Sequence, residues 1–114
     1  MQEIDSKVMS ILSELSNLAK NSFGDKLTAV ILYGSYARGD YDEYSDVDVM
    51  IIADINLSEF SKRQESFVDL CSELSLEYDL VVVPTFVSKK NFYRFHNVLP
   101  FYQNVEREGI KIAV

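Results

Sequence analysis

The sequence predicts an α/β protein of the α+β type, in which helices cover a small mixed β-sheet, mainly on one side. Two observations support this class. Apolar residues recur at helical spacing in several segments, and short apolar, β-branched runs of strand length lie between those segments. The chain has 114 residues, of which 47% are hydrophobic and 25% charged. This is enough for one core, so a single domain is expected over residues 1–114.

The first half of the chain predicts helix, strand, turn and strand. An amphipathic helix is expected from about residue 5 to 22, because its apolar residues fall on one face. The residues of that face are Ile4, Val8, Ile11, Leu12, Leu15, Leu18 and Ala19. A continuous apolar run predicts a strand over Leu27–Tyr33. Tyr36–Arg38 then suits a short helical turn, and a second strand is expected over Asp46–Ile52.

The second half predicts helix, strand, two helices and a last strand. Ser58 suits the start of a helix that reaches about Ser75, and Tyr78–Pro84 reads as a strand ended by its proline. A short helix is expected over Ser88–Phe95, and another over Pro100–Glu108, where proline suits the first turn. The final strand is expected over Ile110–Val114.

Composition argues against several classes of function. The formal net charge is -7, which repels the phosphates of long DNA or RNA. The sequence has no run of about 18 apolar residues, so no membrane span is expected. The first residues also lack the pattern of a secretory signal. The single cysteine, Cys71, cannot form an internal disulfide. A cytoplasmic protein without nucleic acid or membrane partners is therefore expected.

Gly34-Ser35 directly follows the first predicted strand and is a candidate phosphate-binding turn. Glycine has no side chain to block a phosphate and tolerates unusual backbone angles. The serine adds a hydroxyl group and a backbone N–H, and a helical turn starting there adds further N–H groups. Arg38, four residues after Gly34, is a candidate for contacting phosphate or for pairing with the acidic loop that follows it.

Asp46 and Asp48 lie one residue apart on the second predicted strand, so their side chains share one face. Two neighbouring carboxylates repel each other unless a cation lies between them. Mg²⁺ prefers carboxylate oxygens together with substrate phosphates and waters. The pair therefore predicts a metal site beside the phosphate-binding turn.

Two-metal phosphoryl transfer uses a further carboxylate near the attacking group. Asp79 is the leading candidate, because a charged residue in an apolar strand is costly unless it is paired or bound to a metal. Glu77, one step away on the same predicted face, is the alternative. The only histidine, His96, has no partner that suggests a hydrolase triad.

These residues, Leu32 to Asp40 and Ser45 to Ile52, resemble the nucleotidyltransferase superfamily of DNA polymerase β. They are most similar to its smallest version, the minimal nucleotidyltransferase (MNT) proteins, which occur beside HEPN partner proteins. MNT proteins carry a similar Ala-Arg-Gly around Arg38. The family also places its third carboxylate on a strand flanked by apolar residues, which Asp79 matches. The resemblance covers roughly residues 27 to 84, and the tail from Asn104 to Ile112 is similar to MNT proteins less specifically.

The resemblance implies a polymerase β-like fold and a Mg²⁺-dependent enzyme with two metal ions. Asp46, Asp48 and Asp79 would bind the metals, and Gly34 and Ser35 would bind the phosphates of ATP. It further implies the antitoxin of a HEPN/MNT toxin–antitoxin pair, transferring AMP to a tyrosine hydroxyl of a HEPN ribonuclease toxin. Two alternatives stay open: an antitoxin that neutralises its partner by binding alone, and a nucleotidyltransferase acting on a small-molecule hydroxyl.

Overall fold

The computed structural model describes residues 4–113, which fold around a four-stranded β-sheet. The helices and strands are, in chain order, α1 (Ser6–Phe23), β1 (Leu27–Tyr33), α2 (Ser35–Arg38), β2 (Val47–Ala53), α3 (Leu57–Tyr78), β3 (Val82–Ser88), α4 (Lys89–Phe95), α5 (Pro100–Glu108) and β4 (Ile110–Ala113). A single 3₁₀ turn, Gly24–Lys26, separates α1 from β1. None of the helices in this part of the chain is long and apolar enough to cross a lipid bilayer.

The sheet is mixed, with the strand order β3-β2-β1-β4. The β1 strand pairs antiparallel with both β2 and β4, whereas β2 and β3 run parallel. Parallel neighbours need a crossover connection, and the long helix α3 supplies it. This topology places the predicted turn after β1 beside the start of β2, because antiparallel pairing sets Tyr33 opposite Asp48.

Most helices begin at a residue whose side chain binds the free backbone N–H groups of the first turn. The Asp5 side chain accepts a hydrogen bond from the N–H of Lys7 at 2.8 Å and caps α1. The helix therefore begins at Ser6, one residue later than its apolar pattern predicts. Asn56 accepts from Glu59 N–H at 3.0 Å at the start of α3, and Ser88 caps α4 in the same way. The cap of α3 is thus two residues before the serine chosen from the sequence.

One face of the sheet is thickly packed, and we call it the α1/α3 face. Leu32, Val49 and Ile51 from the sheet pack there against buried side chains of α1 and α3. Phe67 of α3 lies at its centre, stacked on Phe23 with ring centroids 5.7 Å apart. This face holds the main core, in agreement with the amphipathic patterns of the two long helices.

The other face, which we call the α4/α5 face, has a thinner cover. Ile31, Met50 and Ile52 of the sheet pack there against Phe92 of α4 and Val105 of α5. The two helices are short, and the segment that joins them exposes apolar side chains. The exposed side chains of this hairpin are Tyr93, Val98, Leu99 and Phe101. The fold class expected from sequence is confirmed, with unequal cover on the two faces.

The third strand lies four residues later than predicted, and the prediction of Tyr78–Pro84 is wrong. Helix α3 continues past Ser75 to Tyr78, because Leu74 and Tyr78 lie one turn apart and both pack on the core. The Ser75 hydroxyl donates to the Cys71 carbonyl at 2.7 Å and accepts from Val82 N–H at 3.1 Å, which joins the helix end to the new strand.

Proline does not end this strand, because β3 is an edge strand and can include Pro84 without losing the sheet. The other boundaries agree with the sequence within a few residues. The last strand spans Ile110–Ala113, and Val114, which the prediction included, lies outside the described residues.

Candidate functional site

Gly34 directly follows β1 and is the N-terminal cap of the single turn of helix α2. Its φ of 76° and ψ of -156° are angles that residues with a side chain rarely adopt. Its carbonyl accepts hydrogen bonds from the N–H groups of Ala37 and Arg38, both at 3.1 Å. Strand, glycine and helical turn therefore follow one another as the sequence predicts.

Glycine is also required at position 34 because Asp48 occupies the adjacent space. A Cβ atom built on Gly34 would lie 2.5 Å from Asp48 Oδ2 and 3.4 Å from its Cγ. The carboxylate of β2 is thus packed directly against the backbone of the β1–α2 turn. This contact joins two motifs that the sequence analysis could only place at a suitable spacing.

Asp48 is half-buried on β2, whereas Asp46 is exposed just before the strand begins. Burial raises the pKa of Asp48 above its ordinary value, and the negative charge of Asp46 raises it further. The positive charge of Arg38 acts on the same carboxyl and lowers its pKa. Two carboxylates and one guanidinium therefore share a single electrostatic environment beside the turn.

Arg38 is held on two sides by acidic residues. Its Nε donates to Asp40 Oδ2 at 3.2 Å, and its guanidinium lies 3.5 Å from Glu108 at the end of α5. The hydrogen bond to Asp40 is the main cause of a pKa raised above the ordinary arginine value. A charged guanidinium is therefore fixed between the turn, the acidic loop and α5.

Glu108 is a site neighbour that the sequence analysis did not identify. It reaches Arg38 because the following residue, Gly109, lies so close to β1 that a Cβ atom there would overlap Ile31 Cγ2. A cavity of about 220 Å³ lies between these elements, and its walls include Gly34, Arg38 and Phe101. The tail from Asn104 to Ile112 carried the only signal, through its resemblance to MNT proteins.

Tyr33 lies beside Asp48, opposite it in the pairing of β1 with β2. Its hydroxyl group lies 3.0 Å from Thr85 Oγ1 of β3, and its ring contacts Phe101 edge to face. Burial is the main cause of its raised pKa, to which the charge of Asp48 also contributes. The phenol therefore stays neutral and links β1 to β3 below the site.

Asp79 does not lie on a strand, contrary to the prediction. It ends α3 in the left-handed conformation, with φ 54° and ψ 45°, which aspartate tolerates better than most residues. Its N–H donates to the Ser75 carbonyl there, and its side chain borders a different cavity with Tyr44 and Ser45. The alternative candidate, Glu77, is exposed on α3.

Within residues 4–113, no three aspartate, glutamate, histidine or cysteine side chains come together as a metal-binding group. The structure thus brings together Gly34, Asp46, Asp48 and Arg38, with Ser35 in the same turn, and leaves Asp79 apart. The predicted set of three carboxylates is not formed. The reason is the longer helix α3, which ends where the strand was expected.

Two other residues considered from the sequence lie outside the site. His96 Nδ1 lies 3.0 Å from Glu106 Oε2 and so joins α4 to α5. Cys71 is buried in the α1/α3 core, where burial raises the pKa of its thiol to about 11. Both residues therefore have structural surroundings that explain them without a role in the site.

Comparison with known proteins identifies the family of this chain. The model of the nucleotidyltransferase domain family matches residues 8–112. A protein of Methanocaldococcus jannaschii that is assigned as a protein adenylyltransferase is 35% identical over 98 residues, which cover 86% of this chain and 90% of the relative.

Two solved toxin–antitoxin complexes contain a similar fold. A chain of the MntA–HpeT complex matches with a TM-score of 0.54 and 16% identity, covering 90% of this chain and 73% of that one. A chain from the complex of the AMPylated Shewanella oneidensis HEPN toxin with its MNT antitoxin gives 0.50 and 15%, covering 94% and 73%. The family match, with this fold and the Gly34–Asp48 contact, confirms the resemblance seen in the sequence, and the chain belongs to the nucleotidyltransferase domain family.

Proposed function

We propose that this chain is a Mg²⁺-dependent adenylyltransferase that transfers AMP from ATP to a tyrosine hydroxyl of a HEPN toxin and so neutralises it. The observation that carries the proposal is the close packing of the Asp48 carboxylate against Gly34, because a carboxylate suits Mg²⁺ and a glycine turn suits phosphate. The relative assigned as a protein adenylyltransferase supports the reaction class. The fold shared with an MNT antitoxin bound to its HEPN toxin supports the partner.

The β1–α2 turn and Arg38 bind the phosphates of the nucleotide in this proposal. The N–H groups of Ala37 and Arg38 donate to the Gly34 carbonyl, so the N–H groups at the start of the turn, those of Ser35 and Tyr36, are the ones that would bind an anion. The Ser35 hydroxyl adds a donor, and Arg38 supplies a fixed positive charge. An ATP phosphate that reaches Arg38 competes with Asp40 and Glu108 for its guanidinium.

Asp46 and Asp48 are the residues that would hold Mg²⁺. The donor set fits this ion, because Mg²⁺ is commonly bound by one or two carboxylates together with substrate phosphates and water. The electrostatics also fit, since the charge of Asp46 disfavours the ionised form of Asp48 and a cation would reverse that effect. When bound, the ion supplies charge stabilisation at the phosphates of ATP.

The reaction is a displacement at the α-phosphorus of ATP. An oxygen–phosphorus bond forms from the acceptor hydroxyl, the bond to the β-phosphate breaks, and pyrophosphate leaves with the electron pair. The hydroxyl proton passes to solvent or to a base on the acceptor protein. Gly34, Ser35 and Arg38 stabilise the charge that develops on the leaving phosphates. Because the proposed reaction consumes ATP, we place it in the cytoplasm.

The proposal is tested by incubating the protein with ATP, Mg²⁺ and the HEPN protein encoded beside it. Intact-mass spectrometry should detect one or more adenylyl groups on the HEPN protein, and fragmentation should place them on tyrosine. In Asp48→Asn the transfer rate should fall by about 10³-fold or more, because the variant loses a charged metal ligand.

Asp69→Asn is the matched control, since it removes an exposed carboxylate on α3 and should leave the rate unchanged. Thermal unfolding of both variants separates lost chemistry from lost folding. A stable complex without any adenylyl group would favour neutralisation by binding alone. Transfer at the wild-type rate by Asp48→Asn would refute the assignment of the site.

A further inference from the structure

On β3, the residue that lies beside Asp48 of β2 is a valine, Val83. The parallel pairing of β2 with β3 sets Val83 opposite Asp48 and Thr85 opposite Met50. Paired residues of adjacent strands point to the same side of the sheet and lie about 5 Å apart. Val83 and Thr85 are therefore the residues of β3 that face the same side as Asp48, and neither carries a charge.

The polar group of Thr85 already has a partner. Its Oγ1 lies 3.0 Å from the Tyr33 hydroxyl, so the two hydroxyl groups satisfy each other below the site. A hydroxyl pair of this kind is a much weaker ligand for Mg²⁺ than a carboxylate, which supplies a full negative charge. Val83 and Thr85 therefore line the site from β3 without adding a charged group to it.

Other carboxylates around the site have partners or positions of their own, and Asp40 is paired with Arg38 at 3.2 Å. Glu108 lies 3.5 Å from Arg38 and 3.6 Å from Arg107, and Asp79 borders the separate cavity at the end of α3. In the described part of the chain no third acidic, histidine or cysteine side chain joins Asp46 and Asp48. A second divalent ion about 4 Å from the first would then share the same two carboxylates beside a fixed guanidinium.

We infer that this site binds one divalent ion with each nucleotide, and that Val83 occupies the place from which β3 would supply the carboxylate for a second ion. The inference rests on the proposed function, because it concerns the ion that accompanies ATP at Asp46 and Asp48. The sequence predicts a site for two metal ions, whereas we infer a site for one ion, which binds together with the triphosphate.

The test uses Mn²⁺ as the probe, with AMP-PNP as a non-hydrolysable analogue of ATP. Equilibrium dialysis of the protein with both ligands should give one Mn²⁺ per bound nucleotide. Electron paramagnetic resonance should give the spectrum of isolated Mn²⁺ ions, because spin coupling requires two ions a few ångströms apart. Asp79→Asn should leave both results unchanged.

Val83→Asp should add a second Mn²⁺ and produce a spin-coupled spectrum, while the matched variant Val83→Asn should behave as the wild type. Thermal unfolding identifies a variant that fails to fold, and the wild-type stoichiometry then decides alone. Two coupled ions in the wild type, or loss of one in Asp79→Asn, would overturn the inference while leaving the proposed function intact. Absence of any nucleotide-dependent Mn²⁺ binding would overturn both.

Discussion

The two faces of the sheet differ in how they are packed and in what they contain. The α1/α3 face is covered by two long helices and buries an aromatic cluster around Phe67. The α4/α5 face is covered by short helices, and the end of it that lies beside Asp48 opens into the cavity next to Gly34. Most of the buried apolar side chains lie on the first face, so we expect that face to carry most of the stability of the fold.

The largest expected effect is on the stability of the α1/α3 face. Phe67→Ala should lower the free energy of unfolding by about 3–5 kcal/mol, because a fully buried ring is lost and the cavity cannot collapse. Phe92→Ala, on the α4/α5 face, should cost about 2 kcal/mol, close to the transfer free energy of the ring alone, since its short helix can shift.

Urea denaturation of the two variants measures this difference directly. Equal losses would show that both faces are packed to the same degree, and the distinction between them would fail. Transfer activity per folded molecule should be unchanged in Phe67→Ala, which lies in the core of the opposite face from Asp48.

The next effect distinguishes two glycines with positive φ. Gly34→Ala and Gly24→Ala should each lose about 1–3 kcal/mol of stability, because alanine is strained at φ values of 76° and 53°. Only Gly34→Ala should also reduce transfer, by about 100-fold, because its Cβ would displace the Asp48 carboxylate. A Cβ at Gly24 meets no atom within 4 Å.

Denaturation and transfer assays on the same preparations check this prediction, with Gly24→Ala as the control for strain alone. Equal transfer rates in the two variants would show that the contact with Asp48 does not matter for the reaction.

The parts of the site that were predicted from sequence are those formed by neighbouring segments. The β1–α2 turn and the start of β2 are joined by a short loop, so their spacing limits where Asp48 can lie relative to Gly34. The glycine at the end of an apolar run and the alternation of aspartate with valine are local signals. Both survive in the structure, which adds the contact between them.

The parts that were missed depend on contacts between distant segments. The apolar neighbours of Asp79 predict a strand, but packing of Leu74 and Tyr78 on the core extends α3 by a turn. An aspartate in the left-handed conformation then takes the role that glycine more often has. Glu108 reaches Arg38 only through the close approach of α5 to β1, which no local pattern encodes.

A smaller effect concerns the stability cost of the site. Asp48→Asn should raise the free energy of unfolding at neutral pH, by at most about 1 kcal/mol, because burial disfavours the ionised carboxylate and Asp46 repels it. The pKa of Asp48 is raised in the folded state, so its ionised form opposes folding above that pKa. The gain should disappear below about pH 4, where the carboxyl is protonated in both states.

Thermal unfolding of the wild type and Asp48→Asn between pH 3 and pH 8, without metal or nucleotide, measures this effect. Asp69→Asn is again the control, because its exposed carboxylate should give no comparable gain. A variant less stable than the wild type at neutral pH would show that Asp48 contributes to folding and that the site has no such cost.

The smallest effect is a shift in pH dependence. Arg38 lowers the pKa of Asp48, so Arg38→Gln should raise that pKa and move the midpoint of Mg²⁺-dependent AMP-PNP binding to higher pH. The shift should be small, because an exposed guanidinium interacts only weakly with a neighbouring carboxyl through water. Lys62→Gln removes the same charge from α3 and should leave the midpoint unchanged, although both variants alter the net charge equally.

Weaker binding with an unchanged midpoint would mean that Arg38 acts on the phosphates alone. A shift to higher pH would show that the guanidinium charge favours the ionised form of Asp48 and so partly offsets burial and the charge of Asp46.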